Sequence, residues 1–359
     1  MIRHELYLDD FRFEAGGRLD RVKVVYHTSP VRRGRVVWIC HALTANSDPE
    51  DWWPEMVGPG KFFDTERDYV VCVNMLASPY GSSGPASTDP VTGRPYYFDF
   101  PAVTVRDMVA AMAAVRRHLG IDRVDLLVGS SIGGFQAVEW AVTEPALFAQ
   151  AVFIATAPRV SPFLSAGIET QRMALEADPS FRQAASLSGG AAGLRCARAQ
   201  ALISYRSFEG YGLTQAESDE DTLFASRAAS YERYQGEKLV RRGFDAYSYY
   251  YLCHAVDSHN VGRGRGGVAA ALGCIRAKTL VASIDSDGIF PPSEIERWAA
   301  MIPGAVYKRL SSHFGHDGFL LETSQLIDIL EPIHPCKSSS SAAHRLPSRK
   351  ESSILSAAR

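Results

Sequence analysis

None of the six cysteines in this 359-residue chain forms a Cys-x-x-Cys pair; Cys40, Cys72, Cys196, Cys253, Cys274 and Cys336 are scattered. Neither a zinc site nor a disulfide framework is suggested, and buried free thiols are the expectation. No apolar run is long enough to span a bilayer, and the first ten residues, Met1 to Asp10, hold no apolar core of a secretion signal. The cytoplasm is therefore expected. An excess of charge is missing too: Lys and Arg number 38, Asp and Glu 40, and the net charge is −2. Such a balance gives no reason to expect nucleic acid or an anionic membrane as partner. There is no internal repeat, and the length suits one large α/β core with an insertion.

What is present is an alternation of short apolar runs and helical stretches. Val36 to Ile39, Val70 to Val73, Val124 to Val128 and Ala151 to Ile154 read as strands of a mostly parallel sheet with helices on both faces. Val105, Met108, Val109, Met112, Val115 and Leu119 form one helical stripe, which Gly120 ends. Between about Ser161 and Gly267 the strand pattern disappears. Helical segments replace it, including Gln171 to Ala177, Gly193 to Tyr205 and Ser230 to Val240, as in a lid inserted into a core. The expected organisation is a core of residues 1–160 and 268–334, a helical lid over 161–267, and a disordered tail over 335–359, where large apolar residues are few and no period is evident.

The most informative segment is Gly129-Ser130-Ser131-Ile132-Gly133. It follows the apolar run from Val124 to Val128 and opens another periodic stretch, Phe135 to Val142. Strand, sharp turn and helix make this a nucleophile elbow, in which small residues permit a strained turn and close packing of helix on strand. Ser131 is the candidate nucleophile. A serine hydroxyl needs a histidine base, an acid to orient it and donors for the oxyanion. The α/β-hydrolase fold supplies acid and base in the chain order Ser, Asp or Glu, His. The strand Thr279 to Ile284 runs into Asp285-Ser286-Asp287, and Val306 to Leu310 is followed by His313 and His316. Order and spacing favour Asp287 and His316, with Asp285 and His313 as competitors. His41 follows the first core strand, where lipases carry an oxyanion loop, so the N–H groups of Leu43 and Ile132 are the natural oxyanion donors.

Further motifs surround these residues. They include His41-Ala42-Leu43-Thr44-Ala45-Asn46, Asp51-Trp52-Trp53, Gly84-Pro85, Asp89-Pro90, Tyr205-Arg206-Ser207, Tyr234-Gln235-Gly236, Val261 to Gly267 and Gly315 to Leu320. With them the chain, from near its N-terminus to about Glu331, resembles the homoserine O-acetyltransferases of the α/β-hydrolase superfamily. The resemblance implies Ser131, Asp287 and His316 as nucleophile, acid and base, and so settles both choices left open. It further implies that Arg198, in the pair Ala197-Arg198, and Asp317 hold homoserine. A zwitterion calls for a guanidinium on its carboxylate and an acid on its ammonium.

The implied enzyme is a homodimer of the methionine pathway that moves an acetyl group from acetyl-CoA to L-homoserine, with acetyl-CoA as co-substrate and no bound cofactor. Serine as acceptor, succinyl as donor, or water in an esterase are the alternatives. A non-catalytic binding module would have lost a catalytic residue, and none is lost. Three segments depart from the family pattern: Ile132 where methionine is usual at the elbow, the loop Asn74 to Gly81 with Pro79 in place of a glycine-richer segment, and Tyr247 after Asp245-Ala246.

Overall fold

The computed structural model of the chain describes residues 1–332. Cys336 and the expected tail over 335–359 lie outside the described residues. Eight strands form one sheet: β1 (Ile2–Arg12), β2 (Arg18–Thr28), β3 (Val36–Cys40), β6 (Tyr69–Val73), β7 (Val124–Ser130), β8 (Phe148–Ile154), β9 (Lys278–Ile284) and β10 (Val306–Leu310). Their order is β1-β2-β6-β3-β7-β8-β9-β10. From β6 to β10 every pairing is parallel, whereas β1 pairs β2 and β2 pairs β6 antiparallel. A two-stranded ladder of β4 (Val57–Gly58) and β5 (Phe63–Asp64) follows the short helix α1 (Pro49–Trp52).

The core strands bury both faces, as parallel strands covered by helices must. Side chains alternate strictly. Trp38, Val71, Leu127, Phe153 and Val281 belong to one apolar cluster with α2 (Val105–His118) and α3 (Ile132–Thr143). Val37, Ile39, Val70, Leu126, Val152, Ile154 and Leu280 belong to the other, with Trp53, Phe319 and α13 (Thr323–Leu330). The helix α2 begins on a reciprocal cap between Thr104 and Asp107. After its C-cap Leu119 the chain turns at Gly120, φ +68°. The helix α11 (Pro292–Ala299) lies between β9 and β10, and α12 (Gly318–Leu321) precedes α13.

Between β8 and β9 the chain forms α4 (Pro162–Glu176), α5 (Pro179–Gln183), α6 (Ala191–Tyr205), α7 (Phe208–Gln215), α8 (Arg227–Arg241), α9 (Ala246–Asp257) and α10 (Val268–Leu272). The helix α6 packs between α4 and α8. A single bridge, Arg159 to Asn260, joins the two ends of this stretch. Tyr247 is fully buried in it. Its hydroxyl donates to the Phe181 carbonyl at 2.9 Å and its ring meets Tyr97, Phe98 and Phe181, so this departure from the family pattern ties α9 to α5. Among the described residues no helix is long and apolar enough to cross a membrane.

Two glycines illustrate how tightly the core is set. A Cβ on Gly133 would stand 2.1 Å from the Cys40 carbonyl oxygen, a backbone atom that cannot swing away. A Cβ on Gly167, within α4, meets nothing within 4 Å. Gly133→Ala is expected to lower the unfolding free energy by about 3 kcal/mol or more through overpacking. Gly167→Ala should leave it unchanged or raise it by about 0.5–1 kcal/mol through helix entropy. Urea titrations of the two variants check this, and equal midpoints would contradict it.

Candidate active site

The carboxyl end of β7 brings the chain to Ser131, whose backbone stands at φ +54°, ψ −129°, a conformation that costs free energy in a residue with a Cβ. Its surroundings hold it there. The Ser131 N–H donates to the Ile154 carbonyl at 3.1 Å, and the Thr156 hydroxyl donates to the Ser131 carbonyl at 2.8 Å. Close approach does the rest. A Cβ on Gly129 would meet Gly133 O at 2.3 Å, and one on Gly134 would meet the Thr156 side chain at 2.4 Å, so α3 is drawn onto β7 and β8 with no room for larger residues. Ser131 makes no side-chain cap to α3, which leaves its hydroxyl for another partner.

That partner is His316, whose Nε2 lies 2.9 Å from Ser131 Oγ. The other ring nitrogen, Nδ1, lies 2.8 Å from Asp287 Oδ2. With Nδ1–H donating to the carboxylate, Nε2 is left to accept the serine proton. Asp287 is buried and its second oxygen accepts the N–H groups of Ile289 at 2.8 Å and Phe290 at 3.0 Å, which fixes its orientation. Burial pulls the His316 pKa down, but Asp287 and then Asp317 outweigh it, and the net shift is upward from 6.5. Phe290, Phe319 and Tyr205 surround the imidazole at centroid distances of 5.3, 5.5 and 5.8 Å.

The two competitors take other places. His313 is exposed and pairs with Glu209 at 2.6 Å, while Asp285 accepts the Ser312 N–H at 2.9 Å. Neither is brought to Ser131.

His41 is fully buried, and burial lowers its pKa to about 4. The neutral ring bridges two backbones: Nδ1 lies 2.9 Å from the Ala42 carbonyl it donates to, and Nε2 accepts the Met75 N–H at 3.0 Å. His41 thereby shapes the loop that carries Leu43. This loop borders the start of α3, since the Cys40 and His41 carbonyls are the atoms a Cβ on Gly133 would strike. The Ile132 N–H belongs to the first turn of α3, where a helix has no acceptor of its own for it. In the Asn74 to Gly81 loop, Met75, Leu76 and Ala77 are buried, Tyr80 turns its ring edge to Phe244 at 5.7 Å, and Pro79 lines an open groove of about 780 Å³ shared with Arg18, Arg21 and Lys23 of β2.

Arg198 projects from α6 with its guanidinium 5.5 Å from the Tyr205 ring centroid, and its Nη1 is buried without a hydrogen-bond partner. Asp317 faces Arg206, with Oδ2 2.9 Å from Nε, in an ion pair that lacks hydrogen-bond geometry. Arg206 and Tyr205 were visible in the sequence only as part of a motif without assigned roles. Gly315, at φ +64°, lets the Tyr205–Ser207 backbone press on the loop before His316: a Cβ there would lie 2.6 Å from the Tyr205 carbonyl oxygen. A further acid beside them, Glu232 of α8, accepts the Tyr211 hydroxyl and carries no motif signal at all.

The model of the alpha/beta hydrolase fold matches residues 35–323. The homoserine O-acetyltransferase of Cyclobacterium marinum is 40% identical over 304 residues, covering 84% of this chain and 85% of that protein. That of Chlorobaculum tepidum is 41% identical over 321 residues, covering 88% and 89%. Among solved structures, the homoserine O-acetyltransferase from Staphylococcus aureus superposes with a TM-score of 0.79 at 27% identity, covering 94% of this chain and 96% of that one. Esterase E22 superposes with a TM-score of 0.83 at 23% identity, covering 92% and 99%, and shares the fold. A half-buried serine joined to a buried histidine and aspartate at the carboxyl ends of a mostly parallel sheet, with relatives of this identity along most of the chain, place it in the homoserine O-acetyltransferase family of the α/β hydrolase fold.

Proposed function

We propose that the protein is a homoserine O-acetyltransferase that works through an acetyl-serine enzyme. The observation that carries this reading is the relay from Ser131 Oγ to His316 Nε2 at 2.9 Å and from His316 Nδ1 to Asp287 at 2.8 Å, set within a chain whose relatives bear that name. In the first half-reaction His316 takes the Ser131 proton as Oγ attacks the thioester carbonyl of acetyl-CoA. The N–H groups of Leu43 and Ile132 receive the oxyanion, and the C–S bond breaks as the sulfur leaves with the proton from His316. In the second, His316 deprotonates the homoserine hydroxyl, which attacks the acyl carbon. The Ser131 Oγ leaves and regains its proton, and O-acetyl-L-homoserine, on the route to methionine, departs.

In this scheme Arg198 takes the acceptor's carboxylate and Asp317 its ammonium. The buried, unpartnered Nη1 of Arg198 supports the first assignment, because a donor without a partner inside a protein is costly unless a ligand completes it. Acetyl-CoA acts as co-substrate, and no bound cofactor enters the scheme. The cytoplasm fits the five described cysteines, all free thiols. A homodimer is supported by the apolar side chains that α4, α6 and α7 leave in water, among them Phe163, Met173, Ile203, Phe208 and Leu213.

Three outcomes follow for experiment. Because the neutral imidazole is the base and its pKa is raised, activity should fall as the pH drops through a value above 6.5. Asp287→Asn should move that limb downward, since burial then acts without the carboxylate, and should cut kcat by about four orders of magnitude, whereas Asp285→Asn should do neither. Profiles of kcat/KM against pH decide the matter. Arg198→Ala should leave the rapid-mixing burst of CoA intact while slowing transfer to homoserine about 30-fold or more, the equivalent of about 2–5 kcal/mol for a charge-assisted contact. An equal loss in both phases would contradict its assignment to the acceptor. Sedimentation velocity should give the mass of two chains, with Phe208→Glu shifting it toward one; a single-chain mass for the wild type would remove the dimer.

A further inference from the structure

The Arg206–Asp317 pair raises a question of charge. One oxygen of Asp317 already faces a guanidinium at 2.9 Å, so the acid beside His316 is partly neutralised before an acceptor arrives. Arg198, by contrast, has a buried Nη1 without a partner. A zwitterionic acceptor meeting these residues alone would find two cations and one acid already engaged.

Glu232 supplies what is missing. It lies on α8, which packs against α6, the helix that carries Arg198. One carboxylate oxygen accepts the Tyr211 hydroxyl, while the other, Oε2, is buried with no hydrogen-bond partner. Both Arg198 and Arg206 act on Glu232 electrostatically, and Asp317 acts with them on the neighbouring Tyr231. Arg242, the C-cap of α8, is taken up by Asp51 at 2.9 Å. An unpartnered carboxylate oxygen of Glu232 and an unpartnered guanidinium nitrogen of Arg198, in one electrostatic cluster with the Arg206–Asp317 pair next to His316, match the two ends of an amino acid.

We propose that Glu232 is a specificity-determining residue for the acceptor, its Oε2 receiving the α-ammonium together with the free oxygen of Asp317 while Arg198 binds the α-carboxylate. Burial pushes the Glu232 carboxyl up against the pull of Tyr211 and the two guanidiniums, and an arriving ammonium would favour its charged form. The assignment rests on the amino-acid acceptor proposed above, and its test must separate the two.

The test compares wild type, Glu232→Gln and Tyr211→Phe with homoserine and with 4-hydroxybutyrate, the same acceptor without its amino group. Glutamine keeps an acceptor for Tyr211 and removes only the charge. Glu232→Gln should raise the homoserine KM about 10-fold or more, leave the KM for 4-hydroxybutyrate unchanged, and leave the CoA burst intact. Tyr211→Phe, which keeps the charge, should affect homoserine less. If glutamine disturbs the fold by circular dichroism, Glu232→Asp makes the same comparison and should fall between wild type and a full loss. An unaltered homoserine KM, or equal losses for both acceptors, overturns the assignment and leaves the transferase standing. A wild type that gives the burst yet transfers to neither acceptor overturns the transferase and the role of Glu232 with it.

Discussion

The approach of α3 to the sheet at Gly129, Gly133 and Gly134 is the constraint from which the site follows. The Cys40 carbonyl, Ala137 and Thr156 occupy the space where side chains would otherwise stand. Because the helix cannot retreat, the turn between β7 and α3 must be short, and Ser131 is left at φ +54° with its hydroxyl directed away from the helix it begins. The strain is local, whereas the restraint comes from three strands and a helix, which is why the geometry persists. The same approach sets the Cys40–His41 backbone beside the first turn of α3, so one packing decision places both Ser131, the candidate nucleophile, and the candidate oxyanion loop.

Around that fixed point the remaining groups come from separate elements. Asp287 and His316 leave the ends of β9 and β10, neighbouring parallel strands, and a parallel sheet aligns those ends without further adjustment. His41 shows a different use of the same residue type: buried and neutral, it joins the loop to Met75 by its two ring nitrogens and takes no part in proton transfer. The stretch between β8 and β9 brings Tyr205 to the His316 ring, with Arg198 over Tyr205, and sets Arg206 against Asp317.

Much of this was legible in the sequence because it depends on local pattern. The central strands are continuous apolar runs, and the elbow and the order of acid and base need only neighbouring residues. Strand β10 keeps the bounds of its run, while β3, β6, β7, β8 and β9 extend one to three residues beyond theirs, as Phe148–Ile154 does beyond Ala151, because the ladder goes on pairing past the aliphatic residues. The hairpin of β1 and β2 escaped notice for a related reason. Strand β1 is an edge with no fully buried residue, and its charged alternation gives little apolar signal. Arg206, Glu232 and Tyr211 could not be assigned from sequence, because their roles depend on contacts among segments more than twenty or a hundred residues apart.

Mass spectrometry of the intact protein tests the central claim most directly. Mixing with acetyl-CoA should add one acetyl group to the wild type and none to Ser131→Ala, and homoserine should discharge that group much faster than water does. An adduct that persists in Ser131→Ala, or one that is lost equally fast without homoserine, would contradict the account.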